Sequence, residues 1–385
     1  MPALLQSQPV TASVTAASAA LAAVPAVLSA GEGTDANAWV VAGSHTTTGR
    51  PLLANDPHMA LDIPGVWTQI GLHCRAVTKE CPYDVAGVTF AGLPGVVIGH
   101  NARIAWGFTN LAPDVTDYYL EDIVDGAYLF DGVRKPLDVR TETIKVAGAP
   151  DVELSVRSTG HGPLLSDVAD PVALAGQRVP IGGSPQTRSY AVSLAWAGLT
   201  PGRTADALFG FNTAANWEDF RSAATNFATP AQNLVYADVD GHIGYQTPGL
   251  IPIRASATPG APPGYWPAPG WLSAYDWKGF VPFAQLPWVK DPAEGYIVSA
   301  NQQVTPNGGP FITADWDYGY RAQRIRRLIQ AKGKLSVDDM IGIQSDTLNG
   351  FAPELTKALL AVDVDDFTTQ AQALLKDWGD RKSTR

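Results

Sequence analysis

An α+β fold is what this 385-residue sequence predicts, and three observations predict it. Short β-type runs punctuated by Gly, Pro and Asn fill residues 37–200; apolar positions recur at three and four over 204–226 and again beyond 321; and no stretch repeats at a fixed period, which disfavours solenoids and propellers. At roughly 100–200 residues per domain the chain is long enough to bury a large core. Apolar residues make up 45 % and charged ones 17 %, the balance of a globular chain, and Gly 37 with Pro 30 implies many turns rather than disorder.

Taken in order, residues 1–35 open without a charge before Glu32, are rich in Ala, Ser and Thr, and are interrupted by Pro9 and Pro25. They carry neither the basic start of a signal peptide nor the run of about 20 strongly apolar residues that spans a membrane, so they read as a linker. Strands are expected at 39–42, 66–74, 95–99, 104–108, 117–123, 142–146, 152–157 and 190–196. Helices follow at 204–212 and 216–226, then strands at 233–238 and 242–246 about a turn at 239–241. Residues 250–285, rich in Pro and Trp, are irregular. Two further helices are expected, one over 321–330 and one after Ser336, an N-cap followed by Asp338 and Asp339 in the first turn. A charged tail, 377–385, ends the chain.

Charge and motifs exclude several functions. Lys+Arg 27 against Asp+Glu 37 gives −10, which repels a phosphate backbone, and the one basic cluster, 321–327, reads as the solvated face of a helix, so no nucleic-acid partner and no membrane partner is expected. Cys74 and Cys81 are too few for a disulfide scaffold or a cysteine zinc site; a bond across a short hairpin and a reduced pair both fit. Gly31-Glu-Gly33-Thr-Asp-Ala36 matches a dinucleotide fingerprint only in letters, with a linker before it and a strand after it. GxSxG, GxxxxGK[ST] and HExxH are absent, and no pair among the six histidines has metal-ligand spacing.

The blocks Asn37-Ala-Trp-Val-Val-Ala-Gly43, Gly49-Arg-Pro-Leu-Leu-Ala-Asn-Asp-Pro-His58, Gly92-Leu-Pro-Gly95 and Ile98-Gly-His-Asn101 are followed by four more. These are Ala105-Trp-Gly-Phe-Thr-Asn110, Thr229-Pro-Ala-Gln-Asn233, Tyr236-Ala-Asp238 and Ile243-Gly-Tyr245. Together and in this order they resemble the nucleophile (β) chain of the penicillin acylase (penicillin amidase) family of N-terminal-nucleophile hydrolases. The resemblance implies a four-layer αββα fold, here incomplete, with residues 1–35 as the end of a spacer and 36–385 as a partial β-chain. It also implies autoprocessing, hydrolysis of a small-molecule N-acyl amide such as a β-lactam side chain, and a missing α-chain of the same precursor as partner. Members of the family are often periplasmic or secreted. No cofactor is required.

In such a mechanism a hydroxyl residue at a new N-terminus uses its own α-amine, with an ordinary pKa of about 8, as base. That residue should stand immediately before Asn37, where this sequence has Ala36, whose methyl group cannot attack a carbonyl. Thr34 offers a hydroxyl two residues upstream, a displacement of several ångströms at about 3.8 Å per residue that near-attack geometry does not tolerate. By the same resemblance His58 contacts the nucleophile's amine, Asn110 and Asn233 supply the oxyanion hole, and Arg254 stands near the site. Asp114, Thr116 and Asp117, with Asp238, match a structural Ca²⁺ site of part of the family, hard oxygen donors suiting that ion. Two other readings are a non-catalytic remnant or binding module that keeps the fold, and an unrelated hydrolase using His161 or His45 with a nearby serine.

Overall fold

The computed structural model describes residues 35–59, 63, 65–177, 189–254, 264, 266–305 and 309–376; the expected linker, Thr34 and the charged tail lie outside the described residues. The described chain forms two compact units, a larger one of residues 35–113, 202–249 and 282–376 and a smaller one of 114–201 and 250–281.

The larger unit is the expected αββα arrangement. Its inner small sheet has Ala36–Val41 at the centre, paired antiparallel with Leu52–Pro57 on one side and Tyr296–Ser299 on the other. Successive side chains of a strand point to opposite faces, and a central strand buried on both must be apolar throughout. Ala38 and Val40 accordingly meet Val235, Ala237 and Ile243 of the second sheet, while Trp39 and Val41 meet Ile325, Ile329 and Met340 of the helices Tyr320–Gln330 and Val337–Gln344. The second sheet has seven antiparallel strands in the order Trp288–Lys290, Ile243–Gln246, Gln232–Asp238, Ile104–Asn110, Ile98–Asn101, Asp84–Phe90 and Trp67–His73. Its outer face presents Trp106, Phe108, Leu234 and Tyr236 to Phe211, Trp217 and Phe220 of the helices Thr204–Thr213 and Trp217–Ala224. Ser336 caps its helix in a capping box with Asp339, as expected from the sequence.

One side chain ties the two sheets together. Asn55 donates to the Asn37 carbonyl (2.8 Å) and the Phe108 carbonyl (3.0 Å) and accepts from the Phe108 N–H (2.9 Å). Residue 107 must be glycine for this, since a Cβ there would sit 2.8 Å from Asn55 Oδ1. Asn55→Ala leaves three backbone groups without their partner and is expected to cost about 2 kcal/mol. A lowered urea midpoint at unchanged slope would measure it.

Several elements depart from expectation. Leu52–Pro57 and Asp84–Phe90 are strands that the sequence hides: the first contains Asn, Asp and Pro, ordinarily turn residues, and the second contains Gly87, packed so tightly that a Cβ would lie 2.7 Å from the Gly99 Cα. The expected strand 95–99 falls instead at Ile98–Asn101, and the helices Asp170–Gln177, Ala352–Leu360 and Asp366–Lys376 were not signalled. Cys74 and Cys81 form a disulfide that closes the connection between Trp67–His73 and Asp84–Phe90. No described helix is long and apolar enough to cross a membrane.

The smaller unit is built on Thr116–Glu121, paired antiparallel with Ala191–Trp196 and parallel with Ala268–Pro269. Leu120, Val172, Tyr190 and Val192 form its core under the helix Asp170–Gln177. The region expected to be irregular, 250–285, contributes the short strands Pro252–Arg254, Ala268–Pro269 and Trp277–Phe280.

Candidate active site

Ala36 begins the central inner strand and is 3 % exposed. The peptide that joins it to Asp35 is held at both of its polar atoms. The Asp35 carbonyl accepts from the His58 backbone N–H at 2.8 Å, and the Ala36 N–H donates to Asn301 Oδ1 at 3.0 Å. Asn301 has φ +66°, in the left-handed region that Asn tolerates better than most residues. Arg321 braces the same point: Nη1 donates to the Ala36 carbonyl (3.2 Å) and Asn37 Oδ1 (2.8 Å), Nη2 donates to Asn301 Oδ1 (2.9 Å), and carboxylates of Asp317 and Asp35 lie at 3.3 and 3.4 Å.

The His58 ring lies beside a carboxylate. Nε2 stands 2.8 Å from Asp56 Oδ2 and 3.2 Å from Asn37 Nδ2, so the backbone of His58 reaches the Asp35–Ala36 peptide while its ring pairs with a carboxylate. Asn37 and Asp56 also line a cleft of 710 Å³, together with Trp39, Arg321, Arg324 and Phe351. The basic cluster at 321–327 is therefore more than a solvated face, since Arg321 holds residue 36 and Arg324 makes a bidentate pair with Asp346.

Asn110 and Asn233 do come together. Asn233, 1 % exposed, donates from Nδ2 to the Asn110 carbonyl (3.0 Å) and to Thr109 Oγ1 (3.1 Å), and its Oδ1 accepts from the Tyr245 hydroxyl (2.5 Å). Burial pushes the Tyr245 phenol well above its ordinary pKa, so it remains a donor. The Asn110 carbonyl also accepts from Asn301 Nδ2 at 2.8 Å. Asn301 thus connects the nitrogen of residue 36 to the pair expected to form the oxyanion hole. With an uncut residue 36, both Asn233 amide hydrogens point at protein oxygens.

Arg254 lies in the smaller unit, 5 % exposed at its side chain, where Nε donates to Asp117 Oδ2 (2.7 Å) and Nη2 to Asp114 Oδ1 (2.9 Å). Trp277 Nε1 donates to the same Asp117 oxygen. Two of the expected Ca²⁺ ligands, Asp114 and Asp117, are thus paired with a guanidinium. Asp117 Oδ1, buried without a hydrogen-bond partner among the described residues, is the one oxygen that suits a cation, but a guanidinium already lies against both carboxylates and would repel one. Thr116 opens a strand, and Asp238, in the larger unit, accepts from the Tyr236 hydroxyl (2.8 Å) and the His242 N–H (2.9 Å). Among the described residues no three His, Cys, Asp or Glu side chains converge as a metal cage, and Asp114 and Asp117, already paired with Arg254, do not as placed fit the ion.

His161 does not face a serine. Its Nδ1 is 2.8 Å from Glu121 Oε1 and its Nε2 is 3.1 Å from Asp276 Oδ1, with the Tyr119 ring stacked at 3.9 Å; Ser193 and Thr159 donate to the same Glu121 oxygen. A serine bonded to the carboxylate instead of the imidazole cannot be activated as in a triad. Burial alone would lower the imidazole's pKa, but Glu121 and then Asp276 outweigh it and hold it above the ordinary value. A group whose folded pKa is raised contributes stability that is fully present below its unfolded pKa, about 6.5, and is lost as pH rises through the folded value. The melting temperature should therefore fall as pH rises above 6.5 or so, and His161→Gln should flatten that slope in the same pH series.

Sequence reasoning missed Asn301 and Arg321, which reach residue 36 from 265 and 285 positions away. The only sequence signal was an Arg at the start of the expected basic helix; nothing marked Asn301. The wider comparisons agree with the geometry. The model of the family described as penicillin amidase matches residues 3–385. An acyl-homoserine lactone acylase, QuiP, of Pseudomonas aeruginosa is 32 % identical over 83 % of the chain, and the penicillin acylase 2 proenzyme of Pseudomonas sp. (strain SE83) is 32 % identical over 89 %. The chain spans 36 % and 42 % of the length of those two proteins. The solved structure of a thermostable penicillin G acylase from Alcaligenes faecalis superposes with a TM-score of 0.68 at 26 % identity, covering 89 % of this chain and 59 % of that one, so the fold is that of an N-terminal-nucleophile hydrolase. With the αββα layers, the pinned peptide at residue 36 and a family match over nearly its whole length, the chain belongs to the penicillin amidase family.

Proposed function

We propose that this chain is the nucleophile-bearing part of a hydrolase that opens N-acyl amide bonds, and that with alanine at position 36 it neither cuts itself nor turns over an amide. The observation that carries this reading is the grip on the Asp35–Ala36 peptide: carbonyl on the His58 N–H, nitrogen on Asn301, at the head of the central inner strand. A hydroxyl at residue 36 would lie beside a carbonyl already polarised by a donor. Its oxygen would bond to the Asp35 carbonyl carbon, the C–N bond would break, and the hydroxyl proton would end on the nitrogen. Water would then hydrolyse the ester, freeing the spacer acid and a new amino terminus. That terminus supplies the base for the same attack on a substrate amide, an acyl chain on a β-lactam nucleus or on a homoserine lactone, as the names of the relatives suggest. A second chain from the same precursor would complete the site, and exposed Ile341, Leu355 and Leu359 offer apolar surface for it.

The non-catalytic reading is favoured by Ala36 itself, and the two readings part on one experiment. The unaltered protein and its Ala36→Ser form are incubated with a chromogenic phenylacetyl amide and with an acyl-homoserine lactone. Release of amine by the Ala36→Ser form alone supports the proposal; release by the unaltered, uncut protein sinks it.

A further inference from the structure

We infer that Asn301 orients the nitrogen of residue 36, first as the leaving group of self-cleavage and then as the base of amide hydrolysis; this rests on the function proposed above. Both ends of the Asn301 amide are occupied in a way that fixes its direction. One lone pair of Oδ1 takes the Ala36 N–H (3.0 Å), the other takes Arg321 Nη2 (2.9 Å), and Nδ2 is anchored on the Asn110 carbonyl (2.8 Å). An amide pinned at the far end by Asn110 and flanked by a guanidinium can neither flip nor swing away from residue 36.

The chemical consequence follows from donor and acceptor roles. A nitrogen that donates a hydrogen to Asn301 Oδ1 keeps its lone pair directed elsewhere. In the uncut chain that lone pair belongs to the amide, but once the C–N bond breaks it is free to take the proton of the hydroxyl carried by the same residue. Without the acceptor, the new amine rotates among three staggered positions, and only one aims its lone pair at the hydroxyl. Asn301 touches the reacting nitrogen directly, which makes it a catalytic residue under this reading rather than a remote support. The left-handed backbone at φ +66° places its side chain there and gives a clean test, because glycine adopts the same φ without strain and removes only the side chain.

In the unaltered protein, Asn301→Gly should speed hydrogen exchange at the Ala36 amide by at least about tenfold while Trp39 and Val40, deep in the same strand, keep their protection. In the Ala36→Ser protein, Asn301→Gly should slow self-cleavage by about a hundredfold, whereas Asn301→Asp, which keeps the acceptor oxygen, should stay within about tenfold of the Ala36→Ser parent. Mass spectrometry of the cut product reads both. Equal damage by Gly and Asp, a Gly variant that cuts at the parental rate, or unchanged exchange at Ala36 would each overturn the assignment while leaving the hydrolase reading intact. An Ala36→Ser parent that stays whole would overturn the hydrolase reading and the role of Asn301 with it.

Discussion

Ala36→Ser is expected to turn an intact polypeptide into two pieces that separate between Asp35 and residue 36. The change adds one oxygen atom to a side chain that is already buried at the head of a central strand, so its folding cost is small, of the order of 1 kcal/mol. Its effect on rate is large because the methyl group of Ala36, at the head of the strand, cannot attack a carbonyl whereas a hydroxyl can. Removal of the nucleophile from a serine hydrolase costs about 10⁶ in rate, and restoring it should return a comparable factor. The attacked carbonyl is already oriented by the His58 N–H at 2.8 Å and the leaving nitrogen by Asn301, so the barrier is met by groups in place rather than by groups that must be recruited. Intact-mass measurement over hours at neutral pH is the check. A new amino terminus beginning Ser-Asn-Ala-Trp fits the proposal; a cut beside Thr34 would instead mean that the register is displaced by two residues.

How much of this was legible beforehand differs between the strand and its surroundings. The position of residue 36 could be located because the residues that carry the resemblance are local: Asn37-Ala-Trp follows it directly, and the Asn-Asp-Pro-His segment ending at His58 belongs to the same hairpin. The four-layer core was legible only through the resemblance of the ordered blocks, because strands buried on both faces, such as Gln232–Asp238 and Ile243–Gln246, show no alternation from which the layers could be read. The partners of the scissile peptide were not. Asn301 and Arg321 acquire their meaning only when the strand Tyr296–Ser299 returns to pair with the first one, a non-local event with no short-range signature. For His58 the sequence could give the position but not which of its atoms, backbone or ring, lies against the Asp35–Ala36 peptide. Asp114 and Asp117 were read as oxygen donors for an ion; the guanidinium that neutralises them enters from 137 residues away.

That guanidinium sets the second large effect, Arg254→Met, which should cost about 3–5 kcal/mol. Asp117 is 7 % exposed, so deleting the cation it shares with the 25 % exposed Asp114 leaves a buried carboxylate with only the Trp277 N–H still donating to its Oδ2. The loss is one of uncompensated charge rather than of packing, since Met retains most of the side chain's length and apolar stem. Two consequences separate these causes. Adding Asp117→Asn removes the stranded charge, and the double variant should recover about half of the loss, a coupling that a purely steric defect would not show. The single variant should also regain stability in acid: a carboxylate desolvated without a partner has its folded pKa raised, so its penalty disappears as the group is protonated and grows as pH rises through that value. Urea melts of the three proteins from mildly acidic to neutral pH provide both readings. An Arg254→Met protein whose deficit is the same at every pH, and undiminished by Asp117→Asn, would show that the clamp holds the smaller unit by shape and that charge pairing contributes little.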